Sequence, residues 1–82
     1  MFEVEVRITL KKAIADPQGL TVKDALKSLG FASVSEVRMG KLLNIKLDAE
    51  SEEDAKKKAK KMCEKLLANP IIEDFSVEAK EI

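Results

Sequence analysis

The sequence predicts an α+β protein, a two-layer sandwich in which an antiparallel sheet carries two helices on one face. Three observations lead there. The first ten residues alternate apolar and polar with period two, two later stretches repeat with helical period, and extended apolar stretches separate and follow them. The predicted order is β-α-β(β)-α-β in a single domain spanning residues 1–82.

Phe2, Val4, Val6, Ile8 and Leu10 fall on one side of an extended chain, and Glu3, Glu5, Arg7 and Thr9 on the other. This is a half-buried strand. Asp16-Pro17-Gln18-Gly19 reads as a turn, because proline pre-sets φ and glycine tolerates a positive one. Thr21 is then the expected cap of the first helix, with Asp24 as its reciprocal partner. Val22, Ala25, Leu26 and Leu29 make its apolar stripe, and Gly30 stops it so that Phe31 folds back on Leu26.

From Ser33 to Asp48 the chain is expected to be extended, with Val37, Met39, Leu43, Ile45 and Leu47 on one parity. Gly40 interrupts this run as a bulge in one bent strand or as the pivot of a hairpin, and two segments meeting near residues 39–41 are the favoured expectation. Ser51 caps the second helix, and Glu52, Glu53 and Asp54 sit at its positive end. Ala55, Ala59, Met62, Cys63, Leu66 and Leu67 recur at helical spacing. Glu52–Lys56, Glu53–Lys57 and Asp54–Lys58 are i,i+4 pairs in the favourable order. Asn69-Pro70 ends the helix, since the residue before proline avoids helical geometry, and Ile72, Phe75, Val77 and Ala79 suggest a last strand. Two helices with one apolar face each, laid on an antiparallel sheet, give the sandwich a ferredoxin-like character.

Composition narrows the function classes. Charged residues make up 37% of the chain and apolar ones 45%, which suits a soluble globular domain. Lysine plus arginine equals aspartate plus glutamate, so no basic field draws nucleic acid, and neither Trp nor Tyr offers a stacking platform. No apolar run is long enough to span a membrane, and the start Met1-Phe2-Glu3-Val4-Glu5 is acidic where a signal peptide is basic, so a cytoplasmic location is expected. With no histidine and one cysteine, neither an internal disulfide nor a cysteine–histidine metal site is expected. A chain this short commonly gains stability by association, so a dimer or tetramer of itself is the expected state.

Candidate chemistry is sparse. Cys63 lies on the apolar stripe and lacks a histidine to activate it, so it reads as a small core residue. Glu73-Asp74 reads as a solvated strand edge rather than a catalytic dyad. Lys56 to Lys61 reads as a solvated helix face rather than a phosphate patch. Neither a P-loop nor G-x-G-x-x-G is present. No catalytic, cofactor-binding or metal residue is therefore assigned. Two bends place polar groups at rigid turns, where binding surfaces tend to sit, namely Asp16 to Gly19 and Val37 to Lys41.

Four segments in order carry a resemblance: Asp16-Pro17-Gln18-Gly19, Ala25-Leu26 with Leu29-Gly30-Phe31, Val37-Arg38-Met39-Gly40-Lys41, and Leu66 through Asn69-Pro70 to Asp74. Over nearly its whole length the chain resembles the PurS family, the small subunit of phosphoribosylformylglycinamidine (FGAM) synthase. The resemblance implies a non-catalytic assembly role beside the synthetase PurL and the glutaminase PurQ in purine biosynthesis. That complex converts formylglycinamide ribonucleotide (FGAR) to FGAM with glutamine and ATP. ATP and Mg²⁺ would act in the complex, with no cofactor held by this chain, and the small subunit would aid ammonia transfer. Asp16, Gln18, Gly19, Arg38, Gly40, Lys41, Asn69 and Pro70 are the residues expected at subunit interfaces. Self-association by strand addition is expected. A domain that clasps a small metabolite between paired subunits is the alternative.

Overall fold

The computed structural model describes residues 1–82. Its sheet has three antiparallel strands in the order β2-β1-β3, with β1 spanning Phe2–Leu10, β2 Gly40–Leu47 and β3 Glu73–Glu81. The alternation in β1 puts Val4, Val6 and Ile8 wholly out of solvent at the centre of the sheet. Register carries the pattern outward: Val4 faces Ile45 and Ala79, and Val6 faces Leu43 and Val77. One face is thus apolar on all three strands, as period-two side chains require. Burying each of these branched side chains contributes about 1.5–3 kcal/mol.

Helix α2, Glu52–Met62, lies over β1 and β3 and makes little contact with β2. Ala55 and Ala59, fully buried, let it sit close to the sheet, and Cys63 completes the row. Ser51 caps it as expected, its hydroxyl accepting the Asp54 amide at 3.1 Å. The Glu52–Lys56 and Asp54–Lys58 pairs form at 3.6 and 3.3 Å, and the Glu53–Lys57 pair does not. Past Met62 the helix widens into a π-turn over Cys63–Leu67, where the Ala68 N–H donates to the Cys63 carbonyl. The wider turn breaks the helical register, and Leu66 is 83% exposed although the spacing predicts it in the core.

Helix α1 spans Pro17–Ser28 and begins four residues before the expected Thr21 cap. Asp16 is the cap and Pro17 the first helical residue, a favoured pairing. The Thr21 hydroxyl instead donates to the Pro17 carbonyl inside the helix. At the far end Gly30 stops the helix as expected, although the Phe31 side chain stays 56% exposed. Gly30 has φ 102°, and the Phe31 N–H donates to the Leu26 carbonyl in a Schellman closure.

Two further expectations change. The run 33–48 is neither a hairpin nor one long strand, because pairing begins only at Gly40. Residues 31–39 run back along α1 instead, held by the contacts described below. The antiparallel sheet with two helices stands, but α1 has no extensive contact with the sheet or with α2. The molecule measures 50 × 28 × 14 Å. Its radius of gyration is 16.1 Å, against about 12 Å for a compact domain of this length.

Candidate functional site

The two bends singled out in the sequence meet at one end of the sheet. Asp16 is 95% buried and both its oxygens are used. Oδ2 accepts the Met39 amide at 2.7 Å and Oδ1 accepts the Gly19 amide at 2.9 Å. The Met39 and then the Gly19 hydrogen bond hold its carboxyl below the usual aspartate range, against the opposing effect of burial, and the charge of Arg38 helps. Arg38 closes the same knot from the other side. Its Nη2 donates to the carbonyls of Lys11 and Ile14, each at 3.0 Å.

Glycine is required at two points of this knot. A Cβ at Gly19 would overlap the Val37 carbonyl, so only glycine lets α1 lie against the returning chain. A Cβ at Gly40 would stand 2.7 Å from the Ile8 carbonyl, where β2 joins β1. Asn69-Pro70 forms the turn into β3. The Asn69 carbonyl accepts the Ile72 and Glu73 amides, and its side chain accepts the Ile71 amide at 3.1 Å.

A cleft of about 220 Å³ opens at this end of the sheet. Asp16, Gln18, Gly40 and Lys41 line it with Glu73, and Ile8, Leu10 and Met39 supply its apolar part. Gly19, Arg38, Asn69 and Pro70 do not line it. Arg38 and Gly19 brace its wall, and Asn69 reaches it indirectly by donating its amide to Glu73 Oε1 at 2.7 Å. Lys41 Nζ stands 3.8 Å from Glu73 Oε2, with the lysine side chain 62% exposed and the glutamate 13%. So loose a pair leaves the ammonium available to an anionic group of a partner.

Glu73 is the residue that reading the sequence placed differently. It is no solvated edge. It shares parity with Phe75 and Val77 and so falls on the inner face, while Asp74 points to the other side and pairs with Lys11 at 3.3 Å. That parity was the available signal. Cys63 is fully buried, and burial pushes its thiol pKa up. No three His, Cys, Asp or Glu side chains converge as a metal-binding group, and no helix is long and apolar enough to cross a membrane.

Fold and site together define a small α+β domain with a hydrogen-bonded polar corner and an apolar sheet face covered over part of its width. Comparison with known proteins gives the family. The PurS family, described as phosphoribosylformylglycinamidine (FGAM) synthase, matches residues 3–81, and the chain belongs to it. It is 42% identical over 82 residues to the phosphoribosylformylglycinamidine synthase subunit PurS of Methanocaldococcus jannaschii, covering all of this chain and 99% of that one. The Bacillus subtilis PurS subunit is also 42% identical, over all of this chain and 96% of its own. The crystal structure of Methanocaldococcus jannaschii PurS superposes with a TM-score of 0.92 at 41% identity, covering 100% of this chain and 99% of that one. A chain of the structure of PurLQS from Thermotoga maritima superposes with a TM-score of 0.87 at 30% identity, covering 96% of each.

Proposed function

We propose that the chain is the assembly subunit of FGAM synthase, joining the synthetase PurL to the glutaminase PurQ and aiding the passage of ammonia between them in the cytoplasm. The observation that carries this reading is the near full-length likeness to a chain of the Thermotoga maritima PurLQS structure. The scarcity of chemistry agrees with it. Asp16 is locked by backbone amides, Cys63 is sealed in the core, and the carboxylates are dispersed rather than gathered into a cradle for Mg²⁺. On this reading ATP and Mg²⁺ act in the synthetase. The corner built by Asp16, Gln18, Arg38 and Lys41 is the surface offered to the larger subunits, and copies of the chain associate with one another.

Reconstitution tests this. The synthetase and glutaminase of the same organism are supplied with ATP, Mg²⁺, FGAR and either glutamine or free ammonia, with and without the chain. Glutamine-dependent FGAM formation is expected to require the chain, and ammonia-dependent formation to proceed largely without it. Equal glutamine-dependent rates in both arms, with no complex on gel filtration, would overturn the proposal.

A further inference from the structure

The cleft at the Leu10 end of the sheet holds charges that the fold leaves unused. Three charged side chains line it, Asp16, Lys41 and Glu73. Asp16 commits both oxygens to the Gly19 and Met39 amides. Arg38, beside it, is turned to the carbonyls of Lys11 and Ile14 and does not line the cleft. One ammonium and one carboxylate remain. Lys41 Nζ and Glu73 Oε2 stand 3.8 Å apart, beyond hydrogen-bond distance, and neither atom has another partner in the chain. The two differ in freedom. Glu73 is largely buried, and the Asn69 amide holds its Oε1 at 2.7 Å, which fixes the carboxylate and leaves Oε2 to the cleft. Lys41 is mostly exposed, on a flexible stem that can swing aside.

The rest of the cleft sets the size and polarity of what fits between these charges. Ile8, Leu10 and Met39 give it an apolar wall. Its volume of about 220 Å³ is the room of about seven waters at roughly 30 Å³ each, below the ~300–1,000 Å³ of sites for drug-sized ligands. A nucleotide is too large for it. A lone anion would satisfy Lys41 and meet the Glu73 carboxylate as a like charge, and a lone cation would do the reverse. Repulsion of that kind grows where water is partly excluded. A small group carrying both signs meets both demands. An α-amino acid is such a group. Its carboxylate accepts from Lys41 Nζ, its ammonium donates to Glu73 Oε2, and an apolar side chain takes the wall. Both hydrogen bonds are charge-assisted, the stronger class.

We propose that this cleft binds a free apolar α-amino acid, held as a zwitterion between Lys41 and Glu73. The site goes beyond the assembly role, and its test uses the full chain without the larger subunits, so that either reading can fail without the other. Amide shifts of the isotope-labelled chain are followed by nuclear magnetic resonance as L-leucine or L-methionine is added. Saturable shifts are expected at Leu10, Met39 and Gly40, with little change in α2 at Ala55 and Ala59. Two analogues carry one charge each: 4-methylpentanoate is leucine without its ammonium, and 3-methylbutylamine is leucine without its carboxylate. Each should bind about tenfold or more weakly than leucine. Lys41→Ala and Glu73→Gln should weaken leucine binding by a similar factor. Glu73→Gln keeps an acceptor for the Asn69 amide, and unchanged α2 amides show that each variant is folded. No saturable shift with either amino acid overturns the inference and leaves the assembly role standing. So does a single-charge analogue, or a Glu73→Gln chain, that binds as tightly as the parent pair. Shifts at these amides that come only when the synthetase is added assign the cleft to that subunit and overturn the inference too.

Discussion

The Asp16 carboxylate accepts the Met39 amide at 2.7 Å across 23 positions of sequence, and this bond joins the start of α1 to the start of β2. It turns a local cap into a tertiary clamp. Asp16→Ala removes the acceptor of both the Gly19 and the Met39 amides and leaves one buried and one part-buried donor unpaired. The melting temperature is expected to fall by several degrees, and Asp16→Asn, which keeps one acceptor oxygen, by less. Thermal unfolding by circular dichroism gives the order. Amide exchange at Gly19 and Met39 should accelerate in the alanine variant more than at Val4 or Val6.

The same carboxylate sets a pH dependence. Hydrogen bonds from Met39 and then Gly19 lower its pKa in the folded state, and the Glu50 amide lowers that of Asp54. A depressed carboxylate pKa contributes stability that is fully present above the unfolded value of about 3.9 and is lost as pH falls through the folded value. Melting temperature is therefore expected to hold near neutrality and to decline below about pH 4. Asp16→Ala should show a shallower acid decline than the wild type. An equal decline in both would remove Asp16 from the acid response.

Gly19→Ala and Gly40→Ala are expected to destabilise by about 1–3 kcal/mol each, since backbone carbonyls occupy the space a Cβ needs. At Gly30 nothing stands in the way, but φ of 102° strains any L side chain. Gly30→Ala should cost about 1–2 kcal/mol from backbone conformation alone. Urea unfolding with a shared m-value measures all three.

Arg38 and Lys41 separate positioning from contact. Arg38→Ala frees two carbonyls and loosens the knot, so both stability and assembly should suffer. Lys41→Ala breaks only a loose pair at 3.8 Å whose lysine end is exposed, and should change stability by less than about 1 kcal/mol. Weakened binding of the synthetase by Lys41→Ala at unchanged melting temperature, followed by calorimetry, would place the lysine in the contact. Undiminished binding would exclude it.

Cys63 should not react with a thiol reagent at neutral pH until the chain is unfolded, because it is fully buried and its pKa is raised by that burial. Cys63→Ser, which buries a hydroxyl in an apolar row, should destabilise by about 1–3 kcal/mol. Labelling kinetics with and without denaturant check the first statement, and urea unfolding the second.

Local periodicity determined much of this protein. The alternation of Phe2 to Ile8, the Ser51 cap, the Gly30 stop and the Asn69-Pro70 turn all depend on neighbours within a few residues, so the sequence suffices to read them. Most of the candidate corner was legible for the same reason, since Asp16, Gln18, Gly40 and Lys41 sit at bends marked by proline and glycine. Tertiary structure decided what depends on distant partners. The clamp from Asp16 to Met39 keeps residues 31–39 out of the sheet and starts β2 at Gly40. Arg38 and Gly19 turn α1 off the sheet, where an apolar stripe alone predicts burial against it. The register of β3 brings Glu73 inward to Lys41. An apolar stripe says that a face will be covered, but only the direction in which the chain is held says whether its own sheet can do the covering.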